Sequence, residues 1–286
     1  MLRVMIFVVV LLCSMQLAAA PVWQVKQGEN TFYLGGTIHV LSAQDYPLPP
    51  SFDFAYDASD TLFFETDMSA LNDVAIQQKL MQRVSLPNGE TLQDYLDSVQ
   101  YEALAGWLRH AQLPSQAFDR YKVGFVTIQM LMIELQRIGI SAPGVDQHYF
   151  NRALIDDRNV GELESIDNHL SFFASYGEGF ENELMEMTLD ELESIELEMD
   201  SMRAAWRKGE LSYLEAMYVQ TMKDDFPDLY QSLLVERNKA WMPALVEMGE
   251  TPETEFVLVG VAHLLGSDGL IQSLEKQGFQ VTKVEQ

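Results

Sequence analysis

Two stretches at opposite ends of the chain read alike: Phe32-Tyr33-Leu34-Gly35-Gly36-Thr37-Ile38-His39 and Phe256-Val257-Leu258-Val259-Gly260-Val261-Ala262-His263. Each is an apolar run followed by Gly-x-x-His. Short continuous apolar runs closed by glycine are the pattern of strands buried on both faces. The glycine lets the chain turn sharply and brings its backbone close to whatever lies beyond. Each histidine then falls just past a strand's carboxyl end, the edge at which open α/β sheets bind their ligands. A fold that satisfies both segments brings the two ends of the chain to one place.

Further strands fit around this pair. Residues 22–34 predict a hairpin: Val22-Trp23-Gln24-Val25 alternates, Gly28-Glu29-Asn30 turns, and Thr31 to Leu34 runs back until Gly35-Gly36 ends the strand. Thr61-Leu62-Phe63-Phe64 and Asn159-Val160-Gly161-Glu162-Leu163 are short strands that run into acids, Glu65 and Glu164, and Phe279 to Val284 is a last strand. Between them the spacing of Leu92, Leu96, Val99 and Leu104, and of Leu131, Leu135 and Ile138, is helical. The run from Val123 to Leu135 is apolar nearly all round and predicts a buried helix. Pro143-Gly144 breaks the pattern, and another helix begins near Asp146. The class is α/β: a central mixed β-sheet with helices on its faces and a large helical insertion over about residues 70–250.

The first twenty residues are of different material. Arg3 is their only charge, Val4 to Leu12 is apolar, and Ala18-Ala19-Ala20 follows, which is the layout of a secretory signal peptide. The expected product is an exported protein, periplasmic or secreted, whose residues 21–286 form a single α/β domain. The apolar run is short for a bilayer span, so no stable membrane span is expected once the signal is cleaved. Cys13 is the sole cysteine and Leu12 stands where a lipoprotein signal needs a small residue, so the mature chain has neither disulfide nor thiolate chemistry. With 18 Lys and Arg against 43 Asp and Glu the net charge is −25, which excludes nucleic acid as an ordinary partner and disfavours anionic lipid. Ten of those acids lie between Glu178 and Asp200, over Leu184, Met187, Leu192, Ile195 and Met199, and read as the solvated face of amphipathic helices.

Neighbouring strands lie about 4.8 Å apart, so four strand ends can place His39, His263, Glu65 and Glu164 around one pocket. Two imidazoles with carboxylates suit a divalent transition metal with an open position. They equally suit metal-free acid–base catalysis, in which a histidine activates water and a carboxylate holds its tautomer. Asp146 reads first as a helix N-terminal charge and second as such an orienting partner. His110 and His148 read as surface residues, Ser273-Leu274-Glu275-Lys276 as a chance match to Ser-x-x-Lys, and the methionines as core filling.

These residues, in this order, resemble the TraB/GumN family, which includes the animal TIKI proteins and the bacterial PrgY and TraB pheromone-control proteins. The likeness runs over nearly the whole mature chain. It rests on Tyr33 to His39, on Phe64-Glu65-Thr66, Gly144-Val145-Asp146 and Glu162-Leu163-Glu164-Ser165, on Glu236-Arg237-Asn238 with Trp241, and on Val259 to Gly266 with Gly269-Leu270. The resemblance implies a fold similar to the erythromycin-esterase and ChaN proteins. TIKI members are reported as metal-dependent proteases that need paired Gly-x-x-His motifs. Carried over, His39 and His263 would hold a divalent ion (Mn, Co or Zn), with Glu65 as third ligand or base, Glu164 in support, and Arg237 facing the developing negative charge of amide hydrolysis.

The zincin motif His-Glu-x-x-His is absent. Where relatives often read Glu-Thr-x-x-Glu-Gln, this chain has Glu164-Ser165-Ile166-Asp167-Asn168-His169, with His169 read as a substitute for a hydrogen-bonding amide rather than an added ligand. The expected function is a metal-dependent peptidase or amidase acting on a peptide or small molecule. The alternatives are a non-catalytic binder of peptide, haem or iron in the same pocket, and a metal-free esterase.

Overall fold

The computed structural model describes residues 20–285; the expected signal over residues 1–20 lies outside them but for Ala20. The chain opens with β1 (Val22–Gln27), β2 (Asn30–Thr37) and β3 (Val40–Ser42), then α1 (Pro50–Asp57) and β4 (Thr61–Phe64). Helices α2 (Val74–Val84), α3 (Ser98–His110) and α4 (Val123–Arg137) lead to β5 (Ile140–Pro143), α5 (Val145–Ile155), β6 (Asn159–Glu162) and α6 (Ile166–Ser175). A long α7 (Glu181–Lys208) precedes the short α8 (Leu211–Leu214), α9 (Thr221–Asp225) and α10 (Pro227–Tyr230), with π-helical turns at Glu215–Gln220 and Gln231–Val235. The last segment is α11 (Glu236–Met248), β7 (Glu255–Gly260), α12 (Val261–Leu264), α13 (Leu270–Lys276) and β8 (Gln280–Lys283).

Six strands form one mixed sheet in the order β6-β4-β7-β2-β1-β8. Its parallel half consists of β6, β4, β7 and β2; β1 and β8 pair antiparallel at the other side. The two echoing segments are direct neighbours, with Tyr33 opposite Phe256 and Thr37 opposite Gly260. β2 does not stop at its glycines but runs on through Thr37. A Cβ on Gly35 would stand 2.8 Å from the Phe256 ring and one on Gly36 2.9 Å from Val261 Cγ2, so these glycines admit large neighbours across the strand.

Phe52 of α1 and Tyr149 of α5 pack on Phe256 of β7, and Trp206 of α7 packs on Phe52. All four side chains are fully buried. Trp206 also donates its indole N–H to the Gly36 carbonyl at 2.8 Å, tying the long helix to the first motif. The helical middle has a second core of Leu92, Leu104, Trp107, Val126, Met130 and Met185. α4 is less enclosed than its pattern predicts: seven of its fifteen residues are buried, and Met132, Gln136 and Arg137 are exposed. The acid-rich stretch forms one 28-residue helix rather than several, with Leu184, Ile195 and Met199 buried and its acids turned outward. No helix among the described residues is long and apolar enough to cross a membrane.

The strand pair β3–β5 has no counterpart in the sequence reading. It is antiparallel, with Val40 opposite Pro143 and Leu41 opposite Ala142. Its consequence is local: it holds the residue after Ile38 against the residue before Val145.

Candidate active site

The parallel register sets Phe64 of β4 opposite Glu162 of β6 and opposite Leu258 of β7, and Gly260 of β7 opposite Thr37 of β2. The residues just beyond these ends are His39, His263, Glu65 and Glu164. The structure brings all of them together with Arg237 of α11. The Gly260 N–H donates to Glu65 Oε1 at 2.8 Å, and His39 Nε2 lies 4.0 Å from the same oxygen. A Cβ on Gly260 would stand 3.4 Å from Glu65 Oε1, 3.5 Å from His39 Nε2 and 3.7 Å from His263 Cδ2. The bare α-carbon is therefore the floor of the crevice between the acid and the two rings. The two Gly-x-x-His glycines differ: a Cβ on Gly36 would collide with Val261, whereas one on Gly260 would meet the acid and the two rings only at ordinary contact distance.

His39 is positioned from the far side. The β3–β5 pair delivers Gly144 onto its backbone, where Val145 N–H donates to the Ile38 carbonyl at 3.0 Å. Asp146 in the first turn of α5 then accepts from His39 Nδ1 at 2.9 Å. Asp146 thus serves as the orienting partner as well as a helix N-terminal charge. The bond fixes the Nδ1–H tautomer and turns Nε2 toward the crevice. Partial desolvation of the ring by its neighbours lowers its pKa, but Asp146 and Glu65 outweigh that and raise it to about 9.

A Cβ on Gly144 would lie 2.3 Å from the His39 carbonyl carbon, a clash with backbone that no rotamer relieves. Gly144→Ala is expected to cost about 1–3 kcal/mol and to loosen the Asp146–His39 bond. Urea unfolding and the His39 ring proton shifts by NMR check both effects.

His263 is 4% exposed and lies 4.5 Å, centroid to centroid, from the Trp241 indole. Its Nδ1 donates to Asn238 Oδ1 at 2.7 Å, while Asn238 Nδ2 donates to the carbonyls of His263 and Asp268, both at 3.0 Å. That pattern leaves Nε2 as an acceptor, filled by Arg237 Nη1 at 3.1 Å. Burial drives the His263 pKa down to about 4, and the nearby Arg237 adds to it. The ring is neutral and structural in posture.

Arg237 is the hub. Its Nη2 donates to Glu65 Oε2 at 2.7 Å and Glu164 Oε1 at 2.8 Å, and its Nε donates to Glu164 Oε2 at 3.1 Å. Its guanidinium lies 4.7 Å from the Trp241 ring centroid. Burial would raise the Glu65 carboxyl, but the facing His263, Arg237 and His39 with the Gly260 N–H hold it well below the usual carboxylate range. Burial acts the same way on Glu164, and His169 and Arg237 overcome it. His169 donates from Nδ1 to Glu164 Oε1 at 2.9 Å, the role an amide N–H would play. A guanidinium has five N–H donors. The four bonds above use four, so one Nη1 proton remains for a ligand.

Two imidazoles and a carboxylate are the donor types a divalent ion takes, but the arrangement commits them elsewhere. Glu65 and Glu164 have both oxygens hydrogen-bonded, and His263 has both nitrogens bonded. The donors left over are His39 Nε2 and Asp146 Oδ1, which is buried without a partner. Among the described residues no three His, Cys, Asp or Glu side chains form a metal-ligand group. These residues, so placed, do not fit an ion. That set falls short of the three protein ligands of a catalytic zinc site.

The remaining expectations resolve simply. His110 sits exposed on α3, and His148 is half-buried against Tyr46 and Tyr149. Lys276 donates to the Ser267 carbonyl and Ser273 does not join it in any site. The residue whose role the sequence did not show is Asn238, which sets the His263 tautomer; its place next to Arg237 in a helix was the available signal.

A family model described as the TraB/PrgY/gumN family matches residues 21–283. The chain is also similar to the uncharacterized protein YbaP of Escherichia coli (strain K12), 24% identical over 249 residues, which covers 86% of this chain and 89% of that protein. No solved structure matches it.

Proposed function

The chain belongs to the TraB/PrgY/gumN family, and from that premise and the geometry of the crevice we propose an exported hydrolase of peptide, amide or ester bonds that uses His39 as its acid–base group. The observation that carries this is the Asp146–His39 pair, whose free Nε2 opens over Gly260 and Glu65. His39 is also the one member of the cluster whose side chain is largely open to solvent, 59% against 11% for Glu65. Export, to the periplasm or beyond, rests on the layout of the first twenty residues.

In the reaction so proposed, neutral His39 takes a proton from water as the oxygen attacks the carbonyl carbon. The oxyanion faces the spare Arg237 N–H beside Gly260, a fixed donor that needs no reorganisation. His39 then returns its proton to the leaving amine or alcohol, so the products are the free acid and the free leaving group. Glu65 keeps Arg237 and the Gly260 backbone in place. The two carboxylates and the His263 imidazole bonded to Arg237 are its scaffold.

A divalent ion on His39, His263 and Glu65 is the second reading, favoured by the donor types alone. It requires Arg237 to leave both His263 Nε2 and Glu65 Oε2. Mass action distinguishes the two. Purified mature protein is assayed on peptide, amide and ester panels in EDTA, then with added Mn²⁺, Co²⁺ or Zn²⁺. The proposal expects turnover that survives EDTA. Turnover only with metal would replace it by the metal-dependent peptidase, and absence of turnover on every panel, with peptide, haem or iron bound instead, by the binder.

A further inference from the structure

A groove of about 470 Å³ leaves the crevice at its Glu164 and Arg237 end and runs between α6 and α11. Its walls include Ser171, Phe172 and Ser175 from one side and Ser232, Glu236 and Ala240 from the other. The small residues keep the two helices open along its length. The hydroxyls are directional: Ser175 donates its proton to the Ser171 carbonyl and Ser232 donates to the Leu229 carbonyl. A hydroxyl that has spent its proton has only lone pairs to offer. Glu164 and Arg237 neutralise each other where the groove begins, which leaves Glu236 as its uncompensated charge. The lining is thus acceptor-rich and negative, on a chain whose net charge is −25.

We propose that this groove is the substrate arm of the site and that it takes an extended peptide segment bearing a lysine or arginine, with Glu236 as the residue that reads its charge. The inference rests on the hydrolase reading only for which end holds the reacting bond. From β7, which ends at Gly260, to β6, which leads to Glu164, is two strand spacings, or roughly 10 Å, and an extended chain covers that in about three residues. The basic side chain therefore sits about three residues or more from the bond over Gly260. Glu236 acts through the substrate's charge and not on the reacting atoms; it is a specificity residue.

The test uses the full mature chain carrying His39→Ala, to prevent turnover, and fluorescein-labelled octapeptides of Gly and Ser with one Lys or one Glu. Fluorescence anisotropy is expected to show the Lys peptides binding at least tenfold more tightly than the Glu peptides. Glu236→Gln should shrink that preference to threefold or less, and Ala240→Trp, on an exposed helix position, should weaken Lys-peptide binding at least tenfold with an unchanged melting temperature. Equal affinity for the two peptides, no binding of either, or an Ala240→Trp variant that binds as before would each overturn the proposal. If the preference holds while the wild type cleaves none of the panel, the hydrolase reading fails and the groove stands; cleavage without charge preference fails the groove alone.

Discussion

Replacing His39 by alanine is expected to lower kcat/KM by about 10²–10⁴, the range a positioned acid–base group supplies, and to lower the unfolding midpoint at neutral pH modestly, because the bond to Asp146 is lost at a largely exposed ring. The pH profile gives a sharper reading. His39 works from its neutral form, and its folded pKa is raised from 6.5 to about 9 by Asp146 and Glu65 against the opposing effect of partial desolvation. Activity should therefore climb with pH through neutrality, reach half its maximum near pH 9 and level off about one unit higher. Asp146→Asn removes the charge that holds the proton, so the limb should move down toward 6.5 with a lower plateau, since the amide no longer fixes the tautomer. The linkage runs the opposite way for stability: the His39–Asp146 pair contributes fully below pH 6.5 and its contribution is lost as pH rises through about 9. A profile with no alkaline limb, or one that Asp146→Asn leaves in place, would remove His39 from the chemistry.

The second large effect concerns Arg237. Its guanidinium is the shared partner of two carboxylates that are themselves about one-tenth exposed, 11% for Glu65 and 9% for Glu164. Arg237→Ala strands both charges in a partly dry site, and the expected loss is about 3–5 kcal/mol in urea unfolding at neutral pH. The loss should shrink as pH falls through the carboxylate range, because protonation discharges the orphaned acids. Adding Glu65→Gln and Glu164→Gln to Arg237→Met should recover much of it, a coupling that single substitutions cannot show. A small loss for Arg237→Ala, or one that the extra amides leave unchanged, would mean that the three groups are not one network.

Much of the candidate site is legible in the sequence because its polar groups lie at strand ends. The period and length of the apolar runs place β2, β4, β6 and β7, and each is followed within a few residues by the group that matters: His39, Glu65, Glu164 or His263. Parallel pairing then does the gathering, a consequence of fold class rather than of any one motif. What stayed hidden was set by contacts between residues far apart in the chain. The β3–β5 pair has only three and four residues, too few for periodicity to register, yet it is what seats Gly144 on His39 and makes Asp146 an orienting carboxylate. Likewise the hydrogen bonds that occupy Arg237 and both faces of His263 depend on the depth at which α11 lies over the sheet, which no linear spacing encodes. They also separate two histidines expected to act alike as ligands of one ion: one ring is open and basic, the other sealed and neutral.

The placement of β7 has a consequence for the timing of assembly. This strand, made near the end of synthesis, fits between β4 and β2, which were made near its start. Until residue 260 has arrived, the first histidine and Glu65 have no common neighbour, no floor lies beneath them, and Glu65 lacks its backbone donor. A growing or half-threaded chain therefore lacks the assembled cluster, which is complete only once the carboxyl-terminal segment fills the gap.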